Sequence, residues 1–253
     1  MSNWSGQSYA YRASFATLCE GPVGRLLSDT AGALHLDVGS GTGSLAARAA
    51  ALGRTVVAVD ADPEMVSMTS TVVPGRVIEA RLPDLPFDGS TFDAVTANFV
   101  INHVPDPRAA VRELARVTCP GGRVAITVWT AHRPAWATLV SEAFGAAGVV
   151  ALPSSHLSAD LDFERSVDGL RGLTEDAGLE AITATEVTWD WTISADALWR
   201  GIAGGVATAG QTFLAQTTEV RRSAEREFRE RAKGLERDGL LGLPSTAAYV
   251  VAG

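Results

Sequence analysis

The sequence predicts an α/β fold in which helices cover both faces of a seven-stranded, mostly parallel sheet. Short apolar runs alternate along the chain with segments of strong helix formers, and the first run ends in three closely spaced glycines. Strands and helices that alternate at this spacing indicate parallel strands joined by right-handed crossovers. With 253 residues, 46% of them hydrophobic, the chain can bury one core of generous size.

The first strand, loop and helix are the clearest elements. Residues 33–38 are mostly apolar, as expected of a strand buried on both faces, and Gly39, Gly41 and Gly43 follow directly. Residues 44–52 are rich in alanine and leucine, which favour a helix, and Gly53 is a typical residue at a helix end.

The remaining elements follow the same alternation. Further strands are predicted at 55–60, 76–80, 92–98, 123–129, 181–191 and 246–252. Helices are predicted at 63–70, 107–117, 135–147, 164–177, 195–215 and 218–236, with two short helices within 8–30. The pattern therefore adds helices before the first strand and a helical insertion between strands six and seven.

Charge and cysteine content favour some partners over others. Lys and Arg number 21 against 29 Asp and Glu, so the net charge of -8 disfavours a nucleic-acid partner. Neither a disulfide framework nor a zinc pattern can be formed from Cys19 and Cys119, and no metal-ligand spacing is present. The polar start lacks the apolar core of a signal peptide, and no apolar run has the length of a membrane span. We therefore expect a cytoplasmic protein without a metal or a membrane association.

Three kinds of nucleotide site use a glycine loop after a first strand. A phosphate-binding P-loop requires Lys and then Ser or Thr after the last glycine, and this chain has Ser44 and Leu45. A dinucleotide fingerprint needs its third glycine at position 44, so it fits poorly. The third kind is a Gly-x-Gly-x-Gly loop preceded by an acid, Asp37, with a second acid, Asp60, at the end of the next strand.

This third pattern resembles the class I S-adenosylmethionine-dependent methyltransferases. Residues 36–44 are similar to the first motif of that family, and Asp60 is similar to the acid that holds the ribose hydroxyls. Three further blocks follow in the expected order, at 85–95, 98–106 and 120–122. The resemblance covers about residues 33–130 and implies a Rossmann-like sheet, S-adenosylmethionine as cofactor and S-adenosylhomocysteine as product.

The resemblance also implies a division of the chain. Residues 1–32 would form an N-terminal helical flap, and residues 33–130 the cofactor-binding core. Residues 131–253 would supply helical lid and substrate elements together with the last two strands of the same sheet. The apolar and aromatic character of the lid segments favours a small hydrophobic or aromatic acceptor.

The cofactor site that the resemblance implies is formed by residues from five stretches of chain. Its residues are Asp37, Gly39, Ser40, Gly41, Asp60, Ala61, Met65, Arg81, Leu82, Asn98 and Phe99. Arg81 and Leu82 depart from the Asp-Ala pair that many relatives place against the adenine amino group. Because Arg81 cannot accept that hydrogen bond, the backbone of Leu82 or stacking by Arg81 would take its place.

Candidates for catalysis and acceptor binding are fewer. His103 follows the fourth strand at the level expected for a base near a methyl acceptor, although in relatives with this motif the histidine is often structural. Contacts to the substrate are predicted for Tyr11, Asn102, Trp129 and His132, while His35 lies inside a strand and is expected in the core.

We expect a methyltransferase that moves a methyl group to O, N or C of a small metabolite, with secondary metabolism as one setting, acting as a monomer or homodimer. Methyl transfer from a sulfonium is an in-line displacement in which positioning supplies much of the rate. Three alternatives stay open: a protein of the same fold that binds this cofactor and catalyses a cyclisation or rearrangement, an NAD-dependent oxidoreductase, and a regulatory protein that senses the cofactor.

Overall fold

A computed structural model describes residues 6–153 and 157–253, and seven strands in this part of the chain form one sheet in the order β3-β2-β1-β4-β5-β7-β6. The strands are β1 (Leu34–Val38), β2 (Thr55–Asp60), β3 (Arg76–Glu79), β4 (Phe92–Asn98), β5 (Thr118–Trp129), β6 (Ala181–Ile193) and β7 (Leu241–Ala252). Strands β1 to β5 pair in parallel, whereas β7 is antiparallel to both β5 and β6. The predicted fold class is therefore confirmed.

The helices lie before, between and after these strands. They are α1 (Ser8–Arg12), α2 (Phe15–Leu18), α3 (Val23–Asp29), α4 (Ser44–Ala51), α5 (Pro63–Ser70), α6 (Pro107–Val117), α7 (Ala135–Ala146), α8 (Val167–Asp176), α9 (Ala195–Ala203), α10 (Ala207–Leu214) and α11 (Thr218–Leu235). A 3₁₀ turn, Ile101–His103, follows β4. Within the described ranges, none of the helices has the length and apolarity that crossing a membrane requires.

The two faces of the sheet bury different sets of residues. Leu36 and Val38 of β1 pack with α6 and α8 in one core cluster, whereas α3 and α4 pack on the opposite face. Because successive side chains of a strand point to opposite faces, His35 and Asp37 lie on the α3 and α4 face. This placement puts two polar side chains beneath the helix that follows the glycine loop.

Strand β1 lies between β2 and β4, so the connections from β1 and from β4 run to opposite sides of the sheet. Ligands of open α/β sheets bind at such a switch point, beyond the carboxyl ends of the strands. Asp37 pairs with Ala58 of β2 and with Thr96 of β4, which brings the ends of all three strands together.

Several boundaries differ from those predicted. Strand β5 begins at Thr118, five residues earlier than expected, because Thr118 pairs with Phe92 ahead of a bulge. Strand β7 begins at Leu241, earlier than the expected residue 246, because residues from Leu241 onward pair in antiparallel register with β6.

The predicted helices differ from the structure at three places. The helix expected over 195–215 is two helices, and Gly205 has a left-handed φ of 84° at the break between them. Helix α8 starts at Val167 because the side chain of Ser166 accepts a hydrogen bond from Gly169 N–H and caps it. Three short helices, α1 to α3, precede the sheet where two were expected.

The N-terminal helices contact both the core and the helical insertion. Ser8 Oγ donates a hydrogen bond of 2.5 Å to Glu64 of α5, and Phe15 of α2 is buried among side chains of α7 and α9. Trp191 Nε1 donates to Thr17 Oγ1 at 2.9 Å. Helices α1 and α2 therefore bridge the carboxyl edge of the sheet and the insertion between β6 and β7.

Candidate functional site

A narrow cleft lies where the glycine loop faces the N-terminal helices. Asp37, Asn98 and the loop from Gly39 to Thr42 form one wall, and Tyr11, Cys19 and Glu20 are among the residues of the other. The enclosed space is about 40 Å³. The cleft is narrow because the N-terminal helices lie against the loop in this structure.

The glycine loop is shaped by backbone hydrogen bonds to the neighbouring strand. The N–H groups of Gly39 and Ser40 both donate to Val59 O, at 2.8 and 2.9 Å. Gly39 has a φ of 69°, and a Cβ on it would lie 2.3 Å from a methyl carbon of Val100. Only glycine satisfies both the left-handed conformation and this close approach.

Gly41 presents a bare backbone to the cleft. A Cβ built on Gly41 would meet nothing closer than the ring of Tyr11, at 3.8 Å. Tyr11 and Cys19 share a side-chain hydrogen bond, and burial raises the pKa of both groups, that of Cys19 to about 11. The predicted substrate residue Tyr11 therefore lies over the loop in its neutral form.

Asp60 lies at the end of β2, and its carboxylate turns back to the loop. Oδ2 accepts a hydrogen bond from Gly41 N–H at 2.8 Å, and Oδ1 accepts one from Asp62 N–H at 3.0 Å. Burial raises the pKa of Asp60, although the backbone donors act in the opposite direction. Each oxygen has a second lone pair, so the carboxylate can still accept hydrogen bonds from a diol.

Asp37 is buried at the bottom of the cleft. Its Oδ1 accepts a hydrogen bond of 3.1 Å from Thr96 Oγ1, and no hydrogen-bond donor in the described part of the chain reaches Oδ2. Burial raises the pKa of Asp37 to about 7; Thr96 lowers it and Asp60 raises it. A buried carboxylate oxygen without a partner is costly, which suits a cationic ligand group at this point.

Asn98 connects the sheet to the N-terminal helices. Its Oδ1 accepts from Thr127 Oγ1 at 2.6 Å, and its Nδ2 donates to Cys19 O at 2.8 Å. Phe99, the next residue, has a left-handed φ of 59° and stacks on Trp129, with ring centroids 3.8 Å apart. The Trp189 ring is tilted against both, at centroid distances of 6.2 and 5.9 Å. An aromatic wall of Phe99, Trp129 and Trp189 thus adjoins Asn98.

The structure places the other predicted cofactor residues around the ends of β2 and β3. Ser40 is buried, and its Oγ lies 3.2 Å from Thr69 Oγ1. Ala61 is half-buried, and Met65 is buried in α5. The side chain of Leu82 belongs to the core, which leaves its backbone for recognition, while the side chain of Arg81 is exposed.

The predicted substrate and catalytic residues occupy different environments. The side-chain amide of Asn102 forms two hydrogen bonds with the Trp129 backbone. Oδ1 accepts from Trp129 N–H at 2.9 Å, and Nδ2 donates to Trp129 O at 3.4 Å. His103 is the last residue of the 3₁₀ turn, and part of its side chain is exposed. Desolvation by the surrounding protein atoms and the charge of Arg165 both lower the pKa of His103. His132 is exposed beyond β5 and is not among the residues lining the cleft. Among the described residues, no cluster of three or more His, Cys, Asp or Glu side chains could hold a metal.

Sequence reasoning missed Thr96, His35 and Cys19 as neighbours of the site. Thr96 and His35 are polar residues at alternate positions of otherwise apolar strands, on the same face as Asp37 and Asn98. The placement of polar residues at every second position of these strands was the signal that the sequence offered. The approach of Cys19 to Asn98 joins residues 79 positions apart and has no local signature.

Comparison with known proteins identifies the domain. Residues 36–126 match the family model described as a methyltransferase domain. The chain is 40% identical over 106 residues to demethylmenaquinone methyltransferase of Clavibacter sepedonicus, and 38% identical over 120 residues to ubiquinone biosynthesis O-methyltransferase of Xanthomonas oryzae pv. oryzae. These matches cover 40% and 44% of this chain and only 43% and 49% of the relatives, so the chain spans about half of their length.

The likeness in fold extends further along the chain. A crystal structure of a SAM-dependent methyltransferase from Aquifex aeolicus superposes with a TM-score of 0.51 and 18% identity, covering 72% of this chain and 92% of that one. At that identity the superposition shows the fold alone, whereas the matched segment carries the glycine loop, Asp60 and the end of β4. Residues 36–126 of the chain therefore match a methyltransferase domain, and outside this segment the likeness is one of fold alone.

Proposed function

We propose that this protein transfers the methyl group of S-adenosylmethionine to O, N or C of a small hydrophobic or aromatic metabolite. The observation that carries the proposal is the arrangement of the cleft. The bare backbone of Gly41 shares the cleft with the buried carboxylate of Asp37, and its N–H donates to the half-buried carboxylate of Asp60. An aromatic wall adjoins the same edge of the sheet.

The cleft residues fit the cofactor in three respects. The unpartnered Oδ2 of Asp37 suits the cationic amino group of the methionine end. The backbone at Gly41 has room for close approach, and Asp60 has lone pairs for the ribose hydroxyls. When bound, the cofactor supplies a methyl group on a positively charged sulfur, which makes that carbon electrophilic.

The aromatic wall supports an acceptor with a flat apolar ring. Trp129 and Trp189 are half-buried and lie against the buried ring of Phe99. Aromatic rings gain about 0.5–1.5 kcal/mol from stacking beyond the effect of their area. The two matched relatives are named for demethylmenaquinone and for ubiquinone biosynthesis, which favours an acceptor of this ring type.

Entry of the cofactor requires the N-terminal helices to move, since the closed cleft encloses only about 40 Å³. Two polar contacts link α1 and α2 to the core of the sheet, Ser8 to Glu64 and Asn98 to Cys19 O, whereas Val23, Leu26 and Leu27 of α3 are packed in the core. We therefore propose that α1 and α2, within the predicted flap of residues 1–32, move to open the cleft. Closure of loops or domains over a site occurs in many enzymes, where it shuts out water and commits the bound ligand to reaction.

Replacing Asp60 with alanine should weaken binding of S-adenosylhomocysteine by at least about tenfold, or 1.4 kcal/mol. The substitution removes the predicted ribose acceptor and the hydrogen bonds to Gly41 and Asp62. Titration calorimetry measures the change, and Asp190→Ala, an exposed aspartate of β6, is the control. Unchanged affinity in the Asp60 variant would place the ribose elsewhere.

Replacing His103 with alanine should lower turnover by at least about tenfold while leaving cofactor affinity within about twofold, as expected of a general base. The lowered pKa keeps His103 neutral, and hence able to accept a proton, at neutral pH. Steady-state rates and calorimetry on the same preparation separate the two effects. If turnover equals that of the wild-type protein, His103 has a structural role.

Transfer itself is tested with methyl-labelled S-adenosylmethionine and an extract of candidate metabolites. Our proposal predicts that label moves into a small, apolar product and that S-adenosylhomocysteine accumulates in equal amount. If the cofactor binds and stays intact while a metabolite is converted without label, the protein catalyses a cyclisation or rearrangement instead. Cofactor binding without any turnover in the extract would favour a cofactor-sensing role.

A further inference from the structure

Behind Asp37 lies a continuous series of polar side chains, buried except at its Arg54 end, that the proposed transfer does not use. Arg54 Nη1 lies 2.9 Å from His35 Nδ1, and His35 Nε2 lies 2.9 Å from Thr96 Oγ1. Thr96 Oγ1 in turn donates to Asp37 Oδ1 at 3.1 Å. His35 and Thr96 have no exposed surface, and Asp37 is 1% exposed.

The donor and the acceptor of each hydrogen bond in this series follow from the guanidinium of Arg54. A guanidinium has only donors, so His35 Nδ1 must accept from Arg54. Nε2 then carries the ring proton and donates to the Thr96 hydroxyl. That hydroxyl has its own proton left to donate, and Asp37 Oδ1 is the acceptor in reach at 3.1 Å, while Leu36 O lies farther away at 3.4 Å.

Arg54 is itself fixed by the end of the N-terminal segment. Its Nη2 donates to Leu27 O at 2.6 Å and its Nη1 reaches Thr30 Oγ1 at 3.3 Å. Burial and the charge of Arg54 lower the pKa of His35 to about 3. His35 therefore stays neutral, with the same tautomer, over the whole physiological range.

We propose that Arg54, His35 and Thr96 form a positioning relay that aims the Thr96 hydroxyl proton at Asp37 Oδ1 and so favours the charged form of this carboxylate, with Oδ2 directed to the cationic end of the cofactor. The cofactor part of this inference rests on the proposed function. The three residues are positioning residues, since none of them lines the cleft.

The relay acts against other groups that face Asp37. Burial disfavours the charged carboxylate, and Asp60 of β2 adds like-charge repulsion. The backbone N–H of Ala46, in the first turn of α4, favours the charged form. From the N-terminal helices, Tyr11, Cys19 and Glu20 line the same cleft. Thr96 is the one side chain among the causes of the Asp37 pKa that stabilises the anion.

The direct test is a ¹³C NMR titration of the aspartate carboxyl groups in the protein without ligand, with Asp37 assigned from the Asp37→Asn spectrum. Thr96→Val should raise the titration midpoint of Asp37 by about one pH unit, because a hydrogen bond to the charged form is lost. Thr96→Ser keeps the hydroxyl and should keep the midpoint. A merely structural role of Thr96 would not move a midpoint.

His35→Leu should also raise the titration midpoint of Asp37, because the Thr96 hydroxyl is then free to turn away from the carboxylate. In His35→Gln the side-chain amide can accept from Arg54 and donate to Thr96, so the midpoint should return to the wild-type value. Arg54→Met, at the partly exposed end of the relay, is the variant that remains informative if a buried substitution prevents folding. Midpoints within about 0.2 pH unit of the wild-type value in Thr96→Val and Arg54→Met would overturn the relay, given the shifts that hydrogen bonds cause.

Calorimetry with S-adenosylhomocysteine at neutral pH then links the relay to the cofactor. Thr96→Val should weaken binding by at least about threefold, and the loss should shrink as the pH rises and Asp37 ionises. If the wild-type protein does not bind S-adenosylhomocysteine at any pH, the proposed function fails, while the NMR titration still tests the relay. If the loss of affinity is equal at every pH, the relay does not control the charge of Asp37.

Discussion

Asp37→Asn is expected to stabilise the folded protein above neutral pH and, in the same variant, to weaken cofactor binding. Burial raises the pKa of Asp37 from 3.8 to about 7. Between about pH 4 and pH 7 the unfolded chain has released this proton and the folded chain retains it, so the free energy of unfolding falls as pH rises. Asparagine has no proton to release and does not lose this stability.

The size of the effect follows from the two pKa values. At 1.36 kcal/mol for each unit of difference, the buried charge costs at most about 4 kcal/mol above neutral pH. His35, whose pKa is lowered to about 3, has the opposite effect on the pH dependence, but it is present in both proteins and cancels in the comparison. Cofactor binding should weaken by at least about tenfold, since the carboxylate that faces the cationic group is gone.

Urea unfolding at about pH 5 and about pH 8 measures the stability difference, which linkage predicts to be larger at the higher pH. Asp190→Asn, an exposed carboxylate on β6, is the matched control and should change little at either pH. Calorimetry with S-adenosylhomocysteine measures the affinity. An equal gain in stability at both pH values, or an unchanged affinity, would contradict the assigned role of Asp37.

Gly39→Ala is expected to destabilise the protein by about 2–5 kcal/mol and to abolish cofactor binding. The left-handed φ of 69° costs an alanine about 1–2 kcal/mol. The added Cβ would also lie 2.3 Å from a methyl carbon of Val100, and overpacking of this kind costs about 1–3 kcal/mol. Relief of the clash must move the loop or the end of β4, and both belong to the cleft.

Gly53→Ala separates the cost of the left-handed backbone from the cost of the close contact with Val100. Gly53 has a similar φ of 84°, but a Cβ there would meet no atom within 4 Å. Its substitution should therefore cost only the backbone part, about 1–2 kcal/mol. Adding Val100→Ala to Gly39→Ala should recover part of the packing cost. Urea unfolding measures both variants. Equal losses of unfolding free energy in Gly39→Ala and Gly53→Ala would show that the contact with Val100 does not contribute to the destabilisation.

The core strands could be predicted from the sequence because their ends have local causes. The apolar runs at 55–60 and 92–98 match β2 and β4 residue for residue. Parallel strands bring their carboxyl ends to one edge, so the grouping of Asp37 with Asn98 in the cleft, and of Asp60 with Gly41, follows from their positions in the sequence. The early start of β7 could not be predicted, because it depends on pairing with β6 across an insertion of three helices.

The cleft was predictable on its core side and much less so on its N-terminal side. Nothing local indicates that Tyr11 lies over Gly41, because that contact depends on how α1 packs against distant elements. The sequence predicts contact between Asn102 and the substrate, whereas in the structure the side-chain amide of Asn102 binds the Trp129 backbone. His35 was expected in the core and is indeed buried, but as part of a hydrogen-bonded chain.

Titration calorimetry of the wild-type protein with S-adenosylhomocysteine and, separately, with NAD tests the central claim most directly. The glycine loop with its two flanking acids, Asp37 and Asp60, predicts one S-adenosylhomocysteine bound per chain and no binding of NAD at the same concentrations. Binding of NAD without binding of S-adenosylhomocysteine would contradict the account.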